Sequence, residues 1–240
     1  MFTTTHWTTV LKARDPNDPQ SRQAFALLCQ KYEPPIRVFV RHYARADEER
    51  TRDLTQGFFL SLLEHGGVAT VDPARGRFRS WLLTCVKNHV HRVSREQRTL
   101  KRNDSGNFEF EDNQHAHDDT PERMYERSWA LTVVANALSR LEQTDLARNY
   151  PERYAQVRKL LVGPEGVDPD YTPIVAALSL PVQTIKTYLT RLRKEFRNLL
   201  HAELEALVEP QPQTPSAIEE ELKFLLNALG VVDPYRGAMR

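Results

Sequence analysis

The stretch Phe78–Arg102, FRSWLLTCVKNHVHRVSREQRTLKR, constrains this chain more than any other. It carries seven Lys and Arg (Arg79, Lys87, Arg92, Arg95, Arg98, Lys101 and Arg102) against one acid, Glu96, and no Gly or Pro interrupts it. Nothing local stops a helix there. Leu82, Val86, Val90 and Val93 recur at spacings of four, four and three, the signature of one apolar helical face. Lys87, His91, Arg95, Arg98 and Arg102 recur one residue out of phase, which places them roughly 100° round the same cylinder. One face packs and its neighbour is cationic. A mixed-charge face would solvate a helix equally well, so a nearly pure cationic stripe points to a polyanion. Phe78 and Trp81 lie at its N-terminal end, where aromatic faces are expected to stack on unpaired bases.

The formal net charge of the 240 residues is only +1, but the charges are laid out in blocks. Asn103 to Glu122 holds seven acids and no Lys or Arg; Thr184 to His201 holds five bases and one acid; Ala202 to Leu222 holds six acids and no base. Two basic patches are thus each followed by an acidic segment. Cys29 and Cys85 are too few for a disulfide framework, and a reducing interior is the simpler expectation. The start, MFTTTHW, lacks a basic-then-apolar signal pattern, and no run reaches membrane-spanning length. A cytoplasmic, soluble protein with no membrane partner is expected.

The chain reads as all-α. Residues 1–20 are polar, with a possible short helix near Trp7 to Lys12. Residues 21–102 form a first small helical domain. Ala24, Leu27 and Leu28, then Ile36, Phe39, Val40 and Tyr43, make two apolar faces, with Pro34 and Pro35 expected to break or kink the path. In DLTQGFFLSLLE, Leu54, Phe58, Phe59, Leu62 and Leu63 make another packed face, which Gly66-Gly67 ends. Residues 103–127 read as an acidic, flexible linker, although Thr120-Pro121-Glu122 has the composition of a helix opening. Residues 128–205 form a second domain. There Thr172-Pro173 starts a short helix, Ser179 to Pro181 make a tight turn, and Ile185, Leu189, Leu192, Phe196 and Leu199 face the core of a long basic helix. That is the helix-turn-helix layout, whose second helix enters the major groove tip first. Gln183, Thr184 and Thr187 at the tip suit base edges, while Lys186, Arg191, Arg193, Lys194 and Arg197 suit phosphates. Residues 206–240 hold a Pro-rich spacer and a C-terminal amphipathic helix from Ser216 to Gly230. Its face (Ile218, Leu222, Leu225, Leu226 and Leu229) must be buried on its own chain or on a partner.

Two helical domains, each with a basic helix, joined by an acidic linker, resemble the bacterial extracytoplasmic-function RNA polymerase sigma factors over about Ser21 to Glu205. DLTQGFFLSLLE resembles the helix that docks on the polymerase clamp; GRFRSWLLTCVKNHVHRVSREQR resembles the strand-opening and minus-ten part of region 2. YTPIVAALSLPVQTIKTYLTRLRKEFRNLL resembles the region 4 helix-turn-helix that reads the minus-thirty-five element. The resemblance implies binding to core RNA polymerase through Asp53, Leu54, Gln56, Phe58 and Phe59. It implies a grip on double-stranded promoter DNA and on its melted single strand through Phe78, Trp81, Lys87, Asn88, His91, Arg92, Arg95 and Arg98. Asn88 matches the position that holds a flipped base; Phe78 and Trp81 match the aromatic positions but either could equally be core, and for Trp81 core is the stronger expectation. The minus-thirty-five element falls to Gln183, Thr184, Lys186, Thr187, Arg191, Arg193, Lys194 and Arg197.

The chain also departs from that pattern. The family's Asp-Ala-Glu-Asp run reads Arg50-Thr51-Arg52-Asp53, which raises a hypothesis that a kinase restores negative charge at Thr51 or Thr55. Glu48 and Glu49 are the alternative source of acid. The usual turn Gly is Ser179 and the usual N-cap Ser is Pro181, which puts the docking angle of the recognition helix in question. The C-terminal helix is a candidate regulatory or docking element. A helix-turn-helix regulator acting without polymerase is the main rival, and a sigma-like protein that docks without initiating is a third reading. Catalysis is not expected: no HExxH, CxxC, P-loop or G-x-S-x-G occurs, and Cys85, His89 and His91 lack a fourth ligand at zinc-site spacing. No cofactor or metal is expected.

Overall fold

A computed structural model describes residues 10, 13, 19–64, 68, 71, 77–101, 120–161, 169–205 and 215–230. Among them every regular element is a helix, in the order α1 (Pro19–Tyr43), α2 (Glu48–Glu64), α3 (Phe78–Lys101), α4 (Pro121–Leu141), α5 (Asp145–Arg148), α6 (Pro151–Val157, continued by a 3-10 turn at Arg158–Leu160), α7 (Thr172–Leu178), α8 (Val182–Glu205) and α9 (Pro215–Leu229). They divide into two compact units. One holds residues 5–129 and 208–212; the other holds 1–4, 130–207 and 213–240. Most of the expected acidic linker, like the expected helix near Trp7 and the turn at Gly66-Gly67, lies outside the described residues.

In the first unit α1 and α2 pack on each other and both pack on α3. The buried positions of α1 (Ala24, Phe25, Leu28, Tyr32, Ile36, Phe39 and Val40) step mostly by four and three and form one continuous face. Pro34 and Pro35 sit inside that helix and do not end it, which excludes the break, one of the two outcomes expected there. Each proline removes one backbone donor and costs about 3 kcal/mol in a helix interior. The buried face nevertheless runs on past them: Ile36, Phe39 and Val40 are each 0% exposed, and each such side chain contributes about 1.5–3 kcal/mol. Burial offsets the missing rungs. α1 ends in a Schellman-type turn, with Ala46 N–H donating to the Arg41 carbonyl (3.0 Å) and Arg45 in the left-handed region at φ 48°. Asp47 then caps α2, its Oδ1 accepting from Arg50 N–H at 2.8 Å.

The first unit extends beyond the expected boundary at Arg102. The first turns of α4 are helix where a linker to residue 127 was expected. Tyr125 is 1% exposed, and its hydroxyl donates to the Arg79 carbonyl at 3.1 Å. The Arg79 guanidinium lies 4.4 Å from the Trp129 ring centroid, and Lys87 Nζ reaches Glu122 Oε1 at 2.7 Å. The helix-opening composition of Thr120-Pro121-Glu122 prevailed over the acidity of the segment.

In the second unit Leu141, Tyr154, Val157, Ile174, Ile185, Tyr188, Leu189 and Leu192 belong to one core, with Phe196 and Leu199 packed against it, half-buried. The Asp170 carboxylate receives the Thr172 N–H at 2.9 Å ahead of α7. Ser179 ends α7 in the left-handed conformation (φ 51°, ψ 38°), its N–H donating to the Val175 carbonyl at 2.8 Å. Pro181 offers no side-chain cap, but its carbonyl accepts from Thr184 N–H (2.9 Å) and Ile185 N–H (3.3 Å) and so starts the α8 ladder. The bihelical corner forms without the family's Gly and Ser. α9 packs against α8 and buries Leu222, Leu225 and Leu226, so its apolar face is covered within the chain. Ile218 and Leu229 are only half-buried, and Gly230 follows at φ +68°.

A side chain in the left-handed region carries a steric cost that Gly avoids. Ser179→Gly is expected to raise the unfolding free energy by about 0.5–1 kcal/mol, read as a higher denaturant midpoint at constant slope; an unchanged or lower midpoint contradicts this account of the turn.

Candidate nucleic-acid interface

The outward face of α3 follows from the inward one. Leu82, Val86 and Val90 are 0–2% exposed, which turns Asn88, His91, Arg92 and Arg95 to solvent. These four accessible side chains, three of them basic residue types, lie within two helical turns. Lys87 is half-buried and already paired with Glu122. Arg92 spans two helices: its Nη2 donates to Ser61 Oγ of α2 (3.1 Å) and lies 3.2 Å from His89 Nδ1. Tyr43 Oη and His91 Nε2 are 2.7 Å apart. The side chain of Arg98 lies outside the described residues.

The aromatic pair is not a free stacking platform. Phe78 is 6% exposed, lies edge-on to Tyr32 (5.3 Å) and stacks on Trp81 (5.4 Å). An apolar ring at the first turn of α3 was needed to close the core, and this need is invisible in a charge pattern. Trp81 is half-buried, short of the core position favoured for it.

On α2 the expected docking set divides. Leu54 and Phe58 are 4% and 2% exposed and belong to the core, so they cannot present themselves to a partner. Asp53 and Gln56 are exposed and Phe59 is half-buried. Leu63, placed in the packed face from sequence, is instead 46% exposed, and Leu60, which the sequence reading passed over, is 55% exposed. Asp53, Gln56, Leu60 and Leu63 step by three, four and three, a second stripe on the side away from Leu54, Phe58 and Leu62. The signal was present but was read as one broad apolar helix.

The threonines proposed for phosphorylation are interior. Thr51 is 0% exposed and Thr55 is 2% exposed, with Thr55 Oγ1 donating to the Thr51 carbonyl at 2.7 Å. They share the inward face with Leu54, Phe58 and Leu62, so a kinase has no access to either hydroxyl in this fold. The arginines beside them are also partly engaged: Arg50 Nη2 donates to Gln97 Oε1 of α3 at 2.6 Å, and Glu48 is held by Arg37 and Arg41 of α1.

In the second unit Gln183, Thr187, Arg191, Arg193, Lys194 and Arg197 are exposed along α8, and Thr184 and Lys186 are half-buried. Thr187 Oγ1 donates to the Gln183 carbonyl at 2.9 Å. Arg193 Nη2 donates to the Leu160 carbonyl at 2.8 Å, and Lys186 Nζ lies 5.1 Å from the Tyr171 ring centroid. Arg193 and Lys186 therefore tie α8 to its own unit as well as carrying charge, a role that residue type alone does not disclose.

Residues 28–99, which include most of α1, all of α2 and nearly all of α3, match the family model described as sigma-70 region 2. Over that stretch the chain is similar to sigma-70 region 2, and the similarity supports a sigma-factor role in promoter recognition and RNA polymerase binding. No curated protein and no solved structure matches the chain. No helix among the described residues is long and apolar enough to cross a membrane.

Two predictions follow from the interior of this domain. Replacing Thr55 by Glu places a carboxylate where no water reaches; it is expected to cost about 3–5 kcal/mol of stability, measured by denaturant unfolding, and a near-parental midpoint would restore the switch idea. Burial, with the Arg92 guanidinium alongside, holds the His89 imidazole below its ordinary pKa of 6.5, and Glu96 opposes this more weakly. The folded state therefore favours neutral His89. Its contribution is fully present above about pH 6.5 and is lost as pH falls from there through the folded value. Unfolding free energy should drop between about pH 7 and pH 5, with a shallower drop in His89→Gln; identical slopes would remove His89 as the cause.

Proposed function

We propose that this chain is a sigma subunit of the extracytoplasmic-function type. It joins core RNA polymerase through the α2 stripe (Asp53, Gln56, Phe59, Leu60 and Leu63), with the two exposed leucines as the apolar centre of the contact. It reads a minus-ten element and holds the melted strand along α3. It reads a minus-thirty-five element with α8, which makes the second unit the region 4 counterpart. The observation that carries this reading is the coincidence of the region 2 match with α3, a helix whose exposed face is largely cationic. Mechanistically no bond is made or broken. Arg92 and Arg95 lower the cost of separating strands by neutralising the phosphates of the strand they hold. Asn88, exposed beside them, offers both a donor and an acceptor to the edge of an extruded base. On α8 the amide and hydroxyls of Gln183, Thr184 and Thr187 suit base edges at the tip, while Arg191, Lys194 and Arg197 suit phosphates further along.

Purified chain added to core polymerase is expected to give promoter-specific initiation. A chain that binds duplex DNA alone and leaves polymerase unprogrammed is a free-standing regulator instead. The double variant Leu60→Glu/Leu63→Glu is expected to weaken core-polymerase binding by about tenfold or more, roughly 1.4 kcal/mol, while Arg95→Ala leaves core binding intact and slows strand opening. Equal core affinity of parent and double variant overturns the docking assignment.

A further inference from the structure

A cavity of about 260 Å³ opens at the N-terminal turns of α8. Arg153 of α6 and Arg191 of α8 both line it, together with the hydroxyl side chains of Thr184 and Thr187. No carboxylate is among its lining residues. Arg153 is not a loose surface cation. Its guanidinium lies 4.5 Å from the ring centroid of Tyr150 and 5.4 Å from that of Tyr188. Tyr188 is buried and its hydroxyl donates to the Leu146 carbonyl at 2.9 Å, while the more exposed Tyr150 meets it edge to face at 6.2 Å. A guanidinium held between two rings has already lost most of its rotamer freedom, so little ordering entropy remains to oppose a ligand. Two cations and the Thr184 hydroxyl, without an acid, select an oxyanion. The volume falls below the roughly 300–1,000 Å³ typical of pockets that enclose a small molecule, which favours one group of a polymer over a free metabolite.

We propose that this cavity seats a backbone phosphate of duplex DNA and that Arg153, outside the recognition helix, is the residue that binds it. The proposal rests on reading α7–α8 as a duplex-binding helix-turn-helix. It adds a clamp on α6, so that the backbone is gripped from two elements while the tip of α8 reads bases. Tyr150 and Tyr188 are positioning residues that hold the cation in place. A phosphate gripped at this point would fix how deeply α8 enters the groove.

The test uses the full chain and a random-sequence duplex, with affinity followed against salt. Arg153→Gln is expected to weaken binding to all sequences alike and to reduce the salt slope by about one unit, the signature of one lost phosphate contact. Arg153→Lys should recover the slope. Tyr150→Leu, which keeps the cation but removes a ring that holds it, should lower affinity with little change in slope, and it serves as the second variant should Arg153→Gln fail to fold. If Arg153→Gln and Tyr150→Leu both bind as the parent does while Arg191→Gln and Thr184→Ala still alter binding, the clamp is wrong and the helix-turn-helix reading stands. If all four are silent, both are wrong. If millimolar inorganic phosphate raises the melting temperature of the parent but not of Arg153→Gln, and DNA affinity is the same in both, the cavity is a free-anion site and its assignment to DNA is overturned.

Discussion

The burial of Leu82, Val86 and Val90 against α1 and α2 sets the rotation of α3, and the rest of the first unit depends on it. Each of these side chains contributes about 1.5–3 kcal/mol by leaving water. The exposed ion pairs of the same unit, such as Arg92–Glu96 at 3.8 Å, contribute about 0–1 kcal/mol each. The apolar face therefore decides and the charges follow. Turning α3 by one residue would carry Arg95 toward the core, at a cost of several kcal/mol for the unpaired cation. A cationic surface held this way can lose or gain a single charge without changing its direction, which suits a face that meets a polyanion through its summed field.

The turn before α2 shows how local pairing can redistribute charges that look alike in sequence. Glu48 is drawn to the arginines of α1 and Arg50 to Gln97 of α3, leaving Asp47, Glu49, Arg52 and Asp53 as the exposed charges of residues 47–53. The departure from an acidic run is thus milder at the surface than the letters imply. One of the two extra arginines points its guanidinium into the fold, and its backbone N–H is bound by the Asp47 cap.

Much of the architecture was legible because helical period is a strong signal when one face is apolar. The faces of α1, α3, α8 and α9 and the corner at Ser179 follow from spacing, with α8 differing only in that burial is tighter at Leu200 and Leu204 than at Phe196 and Leu199. The misreadings share a cause: residue type was taken as a proxy for exposure. Threonine is short and its hydroxyl can return to the carbonyl four residues back, so Thr51 and Thr55 sit in a core that polar character seemed to forbid. Phe78 is aromatic and near a cationic stripe, yet the nearest demand on it was packing with Tyr32. Prolines forbid a hydrogen bond, not a helix, when enough apolar surface lies beyond them. Arg153 was missed because no linear pattern joins it to α8; only the fold brings Tyr150 and Tyr188 under its guanidinium.

The far end of α8 is closed as firmly as its tip is open. Leu200 and Leu204 are buried there, and Glu203, 1% exposed, accepts from Arg140 Nη1 of α4 at 2.9 Å. A carboxylate so far from water is tolerable only while paired, because an unpaired buried charge costs several kcal/mol. The pair therefore penalises any movement that separates these helices. α9 packs on the same helix and buries its own leucines, so its apolar face needs no partner. Gln183, Thr187 and Arg191 near the start of α8 remain exposed, whereas its last turns contribute Leu200, Glu203 and Leu204 to the interior. A helix anchored at one end and bare at the other can be held by its own domain while its N-terminal surface stays open, and that division runs along a single element of 24 residues.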